Sequence, residues 1–131
     1  MAKTQKRGVG DVGEGVAQKY LENNRFFVLS RNYWKPWGEI DIVAERDHVL
    51  HFVEVKSVSV KGSGGKFSRE TIRPEENMHP AKLRRLHRVV QTYLIEEKVP
   101  ENKEWQIDLV CVFLNFETKR AKVEMFENII I

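Results

Sequence analysis

One cysteine in 131 residues, Cys111, excludes an internal disulfide and any zinc cluster built from cysteines. It lies in the apolar run 107–114, where core packing is its expected role. No apolar run approaches the roughly 20 residues of a membrane helix, and no secretory signal pattern opens the chain. The expectation is therefore a cytoplasmic protein with no membrane partner. Repeats and low-complexity tracts are also missing, so nothing divides the chain. It reads as a single domain over residues 1–131, large enough to bury a core, with a short basic tail at 1–7.

What is present is charge, unevenly placed. The chain has 22 Lys and Arg against 19 Asp and Glu. Residues 56–88 alone hold nine basic and three acidic residues, and the remainder is net acidic. A locally basic stretch suits a polyanion-binding surface; a solvated loop and helix face is the plainer explanation.

Apolar residues Val9, Val16, Ala17, Tyr20 and Leu21 recur at helical spacing over 8–24. Four glycines, 8, 10, 13 and 15, lower helix propensity there and permit close backbone approach. A strand over 25–34 follows, then a break at Pro36 and Gly38. "GEIDIVAERDHVLHFVEVK" reads as a hairpin turning near Asp47 and His48. A polar loop is expected over 57–77, long for a compact domain and expected to be mobile. A helix over 79–98 has Pro80 in its first turn and Leu83, Leu86, Val90, Tyr93 and Leu94 as its buried stripe. Strands over 105–114 and 119–126 close the chain. This order predicts an α/β fold, a mixed sheet flanked by helices.

The hairpin carries Asp41 in one arm and Glu54 and Lys56 in the other, in strands otherwise written in apolar residues. A loop centred on Asp47 and His48 sets Asp41 opposite Glu54, with Lys56 on the same face. Like charges facing across a strand pair are destabilising, and the remedies are protonation of one carboxyl or a cation between them. Lys56 supplies one positive charge, and a hard divalent ion such as Mg²⁺ would supply the rest. A buried Asp–Glu–Lys ion network is the structural alternative, although apolar residues usually pack at lower cost. Glu14 borders the buried stripe of the first helix. It can face the sheet, or close a capping box with Asp11 as N-cap.

Asp41, twelve intervening residues, and then Glu54-Val55-Lys56, preceded by a glutamate on an N-terminal helix, resemble the PD-(D/E)XK nuclease superfamily. "GEGVAQKYL", "LSRNYW", "GEIDIVAE" and "HFVEVKS" are similar to the YraN-like family of predicted bacterial endonucleases, itself akin to archaeal Holliday junction resolvases. The resemblance spans roughly residues 8–113. It implies a restriction-endonuclease-like αβββαβ core, with Mg²⁺ (Mn²⁺ as substitute) held by Asp41, Glu54 and the Val55 carbonyl, and Glu14 as the helix glutamate. Lys56 would orient or deprotonate the attacking water, or stabilise developing phosphorane charge. The serine following Lys56 departs from the aromatic residue and arginine of many such sequences, and the loop before the second helix is longer.

The expected function is metal-dependent cleavage of DNA phosphodiester bonds, structure-selective because no base-reading module is visible. The alternative is a nucleic-acid-binding module that keeps the fold without turnover. Lys61, Lys66, His79, Lys82, Arg84, Arg85 and Arg88 are the expected phosphate contacts, and the resolvase kinship implies a homodimer. His48 and His51 are not expected at the site. Asp108 interrupts the fourth strand as a secondary candidate, and Trp34 and Trp37 are expected to pack beside the Pro36 turn.

Overall fold

The computed structural model describes residues 7–61 and 78–129. Among the described residues seven elements follow in order: α1 (Arg7–Asn23), β1 (Phe27–Lys35), β2 (Gly38–Arg46), β3 (Val49–Ser59), α2 (Pro80–Glu96), β4 (Trp105–Asn115) and β5 (Arg120–Phe126). They form one five-stranded mixed sheet, in spatial order β1-β2-β3-β4-β5. Only β3 and β4 run parallel, because the chain between them passes through α2 and returns in the same direction. The order is the one read from the sequence, final strand included, and contains the αβββαβ core that the resemblance implies.

Each helix covers one face. Along β4, Ile107, Leu109, Cys111 and Phe113 join the cluster under Leu83, Leu86, Val89, Val90 and Tyr93 of α2. Val110, Val112 and Leu114 join the cluster under Ala17 and Leu21 of α1. A strand covered on both faces is written as a continuous apolar run rather than an alternating one, and 107–114 is that strand. Cys111 is buried within it, as expected.

Asp47 and His48 both take positive φ, 52° and 66°, the turn whose twist matches its flanking strands. The resulting register pairs Ile42 with Val53 and Arg46 with Val49, the pairing inferred from the loop. The expected loop at 57–77 starts too early. β3 continues through Ser59, since Ser57, Val58 and Ser59 pair with Val112, Phe113 and Leu114, and Val60 donates to the Leu114 carbonyl at 2.8 Å. Polar composition suggested a loop; the neighbouring parallel strand supplies acceptors that hold it extended. The rest of that loop lies outside the described residues. Among the described residues no helix is long and apolar enough to cross a membrane.

Gly13 is the glycine of α1 that the packing requires. A Cβ there would lie 1.7 Å from Ser57 Oγ and 2.8 Å from Ser57 Cβ, so only glycine lets the helix rest on β3. Glu14 is the next residue, and its delivery to the sheet depends on this approach. Gly13→Ala is expected to cost about 1–3 kcal/mol, the range for an overpacked contact. Adding Ser57→Gly should recover most of the loss, because two residues in contact do not act additively. Chemical denaturation of the two single variants and the double variant checks this; additive losses would disprove the contact.

Candidate functional site

The site begins with a strand irregularity that spacing does not reveal. Ile40 belongs to the α2-side cluster and Ile42 to the α1-side cluster, although residues two apart on a regular strand share a face. The backbone of β2 therefore rolls at Asp41. β1 rolls at the matching step: Arg31 reaches Glu14 and Gln18 of α1, whereas Tyr33 packs on Tyr93 of α2. Between them Asn32 has φ 54°, a left-handed conformation that asparagine tolerates better than most residues.

The roll opens the sheet between β2 and β3. Their ladder stops at Ile42 and Val53; continuing that register by one step would set Asp41 opposite Glu54. Asp41 does not simply face Glu54. Its Oδ2 instead accepts the Val55 N–H at 2.8 Å, taking the place of the backbone carbonyl that a continued ladder would offer. Burial, then the nearby Glu54 charge, raises the Asp41 pKa from 3.8 to about 8, against the opposing Val55 hydrogen bond. Glu14 and Glu39 push in the same direction. The expected encounter of like charges is thus present, and four carboxylates converge at the opening.

Glu39 and Asn32 are the two members of this cluster that sequence spacing does not single out. With its amide oriented to satisfy both neighbours, Asn32 donates to Glu14 Oε1 at 2.9 Å and to Glu39 Oε1 at 3.0 Å. Glu14 also meets Arg31 at 3.4 Å. Its side chain is 16% exposed and faces the sheet. The capping-box alternative is ruled out, because α1 begins at Arg7 and Glu14 lies beyond the first turn, where the unsatisfied N–H groups are.

Glu54 is held from the other side. Lys82 of α2 places its Nζ 2.9 Å from Glu54 Oε1. Both line a cleft of about 150 Å³ with Gly38, Glu39, Arg85 and Leu86. Lys82 was expected to point at phosphates, and here it neutralises a carboxylate. Lys56 is exposed, two residues beyond Glu54 and beside Cys111 of β4. Cys111 belongs to the α2-side cluster, and Lys56, its partner across the parallel pair, lies on that side with Glu54.

The oxygen-only donor set suits a hard divalent ion. Asp41 keeps one oxygen clear of its Val55 bond, and Glu54 one clear of Lys82. The raised Asp41 pKa follows from its burial first and from the neighbouring carboxylates second. These residues fit Mg²⁺, with Asp41, Glu54 and the Val55 carbonyl as the groups that would hold it and Glu14 beside them.

A different trio has converged further. Among the described residues, the group of three whose ligand atoms all lie within 4.8 Å of one another is His51, Asp108 and Glu127. Asp108 Oδ2 lies 2.6 Å from His51 Nδ1, its Oδ1 accepts from Gln106 Nε2 and the Asn128 N–H, each at 2.8 Å, and Glu127 meets Arg46 at 3.2 Å. With those partners already in place the trio is a clasp joining β3, β4 and the segment after β5, and His51 stays away from the acidic opening, as expected.

The basic residues of α2 are largely on its outer side. Arg84, Arg85 and Arg88 are exposed, as are Lys61 after β3 and His79, the N-cap of α2; Lys66 lies outside the described residues. Trp37 packs as expected, its Nε1 donating to Thr92 Oγ1 at 3.2 Å beneath the Arg88 guanidinium. Trp34 does not. On the edge strand β1 it stays 51% exposed. A concavity of about 510 Å³ is lined by Gln91, Leu94, Lys98 and Trp105 at the far end of α2 from Lys82, and brings none of the candidate residues together.

The fold and the acidic opening thus define a mixed α/β protein with a carboxylate cluster between two diverging strands. Residues 13–112 match the uncharacterised protein family UPF0102, and the chain belongs to that family, the YraN-like one its phrases resemble. It is 32% identical over 120 residues to a UPF0102 protein of Campylobacter lari, covering 92% of this chain and 91% of that one. A UPF0102 protein of Campylobacter jejuni strain 81-176 is 31% identical with the same coverage. One from Sulfurovum sp. strain NBC37-1 is 32% identical over 121 residues.

Proposed function

We propose that this protein is a divalent-metal-dependent endonuclease of the PD-(D/E)XK type, acting on DNA with selectivity for structure rather than sequence. The observation that carries this reading is the opening at Asp41. A carboxylate anchored by the Val55 N–H at 2.8 Å stands beside Glu54 with its pKa driven up to about 8 by burial and like charge. A purely structural network has little reason to gather Glu14 and Glu39 there as well. The chemistry expected of a bound Mg²⁺ is a lowered pKa for its water and charge set against a phosphate oxygen.

The chain's own residues divide the remaining work. Asp41 and Glu54 offer oxygens from two strands, with the Val55 N–H fixing the Asp41 carboxylate. Lys56, exposed on the Glu54 side, would hold or move a proton at the attacking water. Arg84, Arg85 and Arg88 face solvent along α2 and would grip backbone phosphates, contacts that carry no base information. A homodimer would present two such sites to a branched substrate, and sedimentation with and without a four-way junction tests that assembly.

The function is tested by titrating Mg²⁺ or Mn²⁺ against branched, single-stranded and duplex DNA while following cleavage. Strand breaks that depend on the ion and favour branched DNA are expected. Binding without cleavage of any DNA or RNA would leave the nucleic-acid-binding module. The basic face gives a second readout: each neutralised phosphate adds roughly 0.7–0.9 to the slope of log affinity against log salt. Arg84→Ala with Arg88→Ala is expected to weaken binding to unrelated sequences alike and to flatten that slope. An unchanged slope would remove α2 from the interface.

A further inference from the structure

Lys82 occupies a position that its own helix does not explain. It lies in the first turn of α2, where cations are disfavoured by the helix dipole and acidic residues are preferred. No acidic residue occupies that turn. Instead its ammonium reaches the sheet and contacts Glu54 at 2.9 Å, with the two side chains 35% and 15% exposed. Around this contact stand Asp41, Glu39 and Glu14, the two glutamates acting on Asp41 in the same direction as Glu54, and Arg85 on the rim of the same cleft. Glu54 is one of the two carboxylates assigned to the ion, so a lysine and a metal ion compete for one group.

We infer that Lys82 is a placeholder cation, neutralising Glu54 while the ion is absent and passing to a phosphate of the nucleic acid when the ion enters. The inference rests on the metal-dependent reading above and adds how that site is regulated. A divalent ion at Glu54 repels an ammonium held a few ångströms away, the more strongly because the cleft is partly shielded from water. The lysine stem is flexible and its head is a compact charge, so it can leave Glu54 without moving α2. Bound phosphate gives the displaced ammonium a new partner. Ion and nucleic acid therefore bind cooperatively, each removing a cost that the other meets alone, and the coupling is reciprocal. Free protein is kept from holding the ion tightly when no substrate is present.

The test is calorimetric titration of Ca²⁺ into wild type, Lys82→Met and Lys82→Arg, each with and without a four-way DNA junction. Thermal unfolding verifies that every variant is folded. Wild type is expected to bind Ca²⁺ about tenfold more tightly when DNA is present, within the usual range of coupling between sites. Lys82→Met should bind Ca²⁺ about tenfold more tightly than wild type without DNA, and gain less than about threefold when DNA is added. Lys82→Arg, which keeps the charge, should follow wild type. A folded Lys82→Met protein with Ca²⁺ affinity equal to or weaker than wild type would overturn the inference and leave the metal site standing. Absence of Ca²⁺ binding in every form would overturn both.

Discussion

Asp41→Asn should make the protein more stable at pH 8 and inactive as a nuclease. In the folded chain the Asp41 pKa is raised from 3.8 to about 8, first by burial and then by Glu54. Between those values the folded state holds a proton that the unfolded state has released, so stability falls as pH rises through the window. The stabilisation is complete below about pH 4 and lost by about pH 8. Asparagine cannot ionise, and its amide oxygen can still accept the Val55 N–H. The gap between variant and wild type should therefore open with pH, reaching about 1–3 kcal/mol above pH 8, the scale on which removing a buried charge stabilises a fold. Mg²⁺ should reverse the order at that pH, because an ion that binds only the folded wild type stabilises it alone. Denaturation across pH 4–9, with and without Mg²⁺, decides the matter. If Asp41→Asn is less stable at every pH, with a profile parallel to wild type, Asp41 acts only as a partner for Val55.

Lys56→Ala should lower the single-turnover cleavage rate by roughly 100-fold or more, the usual scale for a positioned proton-transfer or electrostatic group. DNA affinity in Ca²⁺ should change by less than about tenfold, because ground-state DNA is assigned to the arginines of α2. The structure supports this division. Lys56 is exposed and lies two residues from Glu54 on the same side of the sheet, while Lys82 is the residue paired with Glu54. Lys56→Arg should not restore the rate, since guanidinium stays protonated and has a different shape. Equal losses in rate and affinity would make Lys56 one more phosphate contact.

These two residues also show which parts of the site could be read in advance. The turn at Asp47 and His48 sets a register by local chemistry alone, and that register sends Asp41 toward Glu54 and Lys56 to the Glu54 face. Apolar periodicity located the helices and strands of the described residues to within a few positions, because burial on one face or two writes its period directly into the chain. The acidic cluster with its lysine was legible for the same reason: charge in an apolar strand stands out against its neighbours.

Long-range placement was not legible. The coincident roll of β1 and β2 depends on Asn32 adopting φ 54° beside Asp41, a choice made by the neighbouring strands rather than by asparagine itself. Glu39 joins the cluster through Asn32, which bridges it to Glu14. Residues 57–59 open a polar stretch that reads as a loop, but β4 offers them a ladder. Gly13 differs from the other glycines of α1 through one contact with Ser57, forty-four positions away. The sequence makes Lys82 a phosphate contact on a basic face, yet packing of α2 over β2 and β3 brings its ammonium to Glu54. Local sequence thus settled element type, register and the identity of the charges. Which charges meet was decided by the tertiary fold, because contacts between distant residues form only when both faces of the sheet are covered.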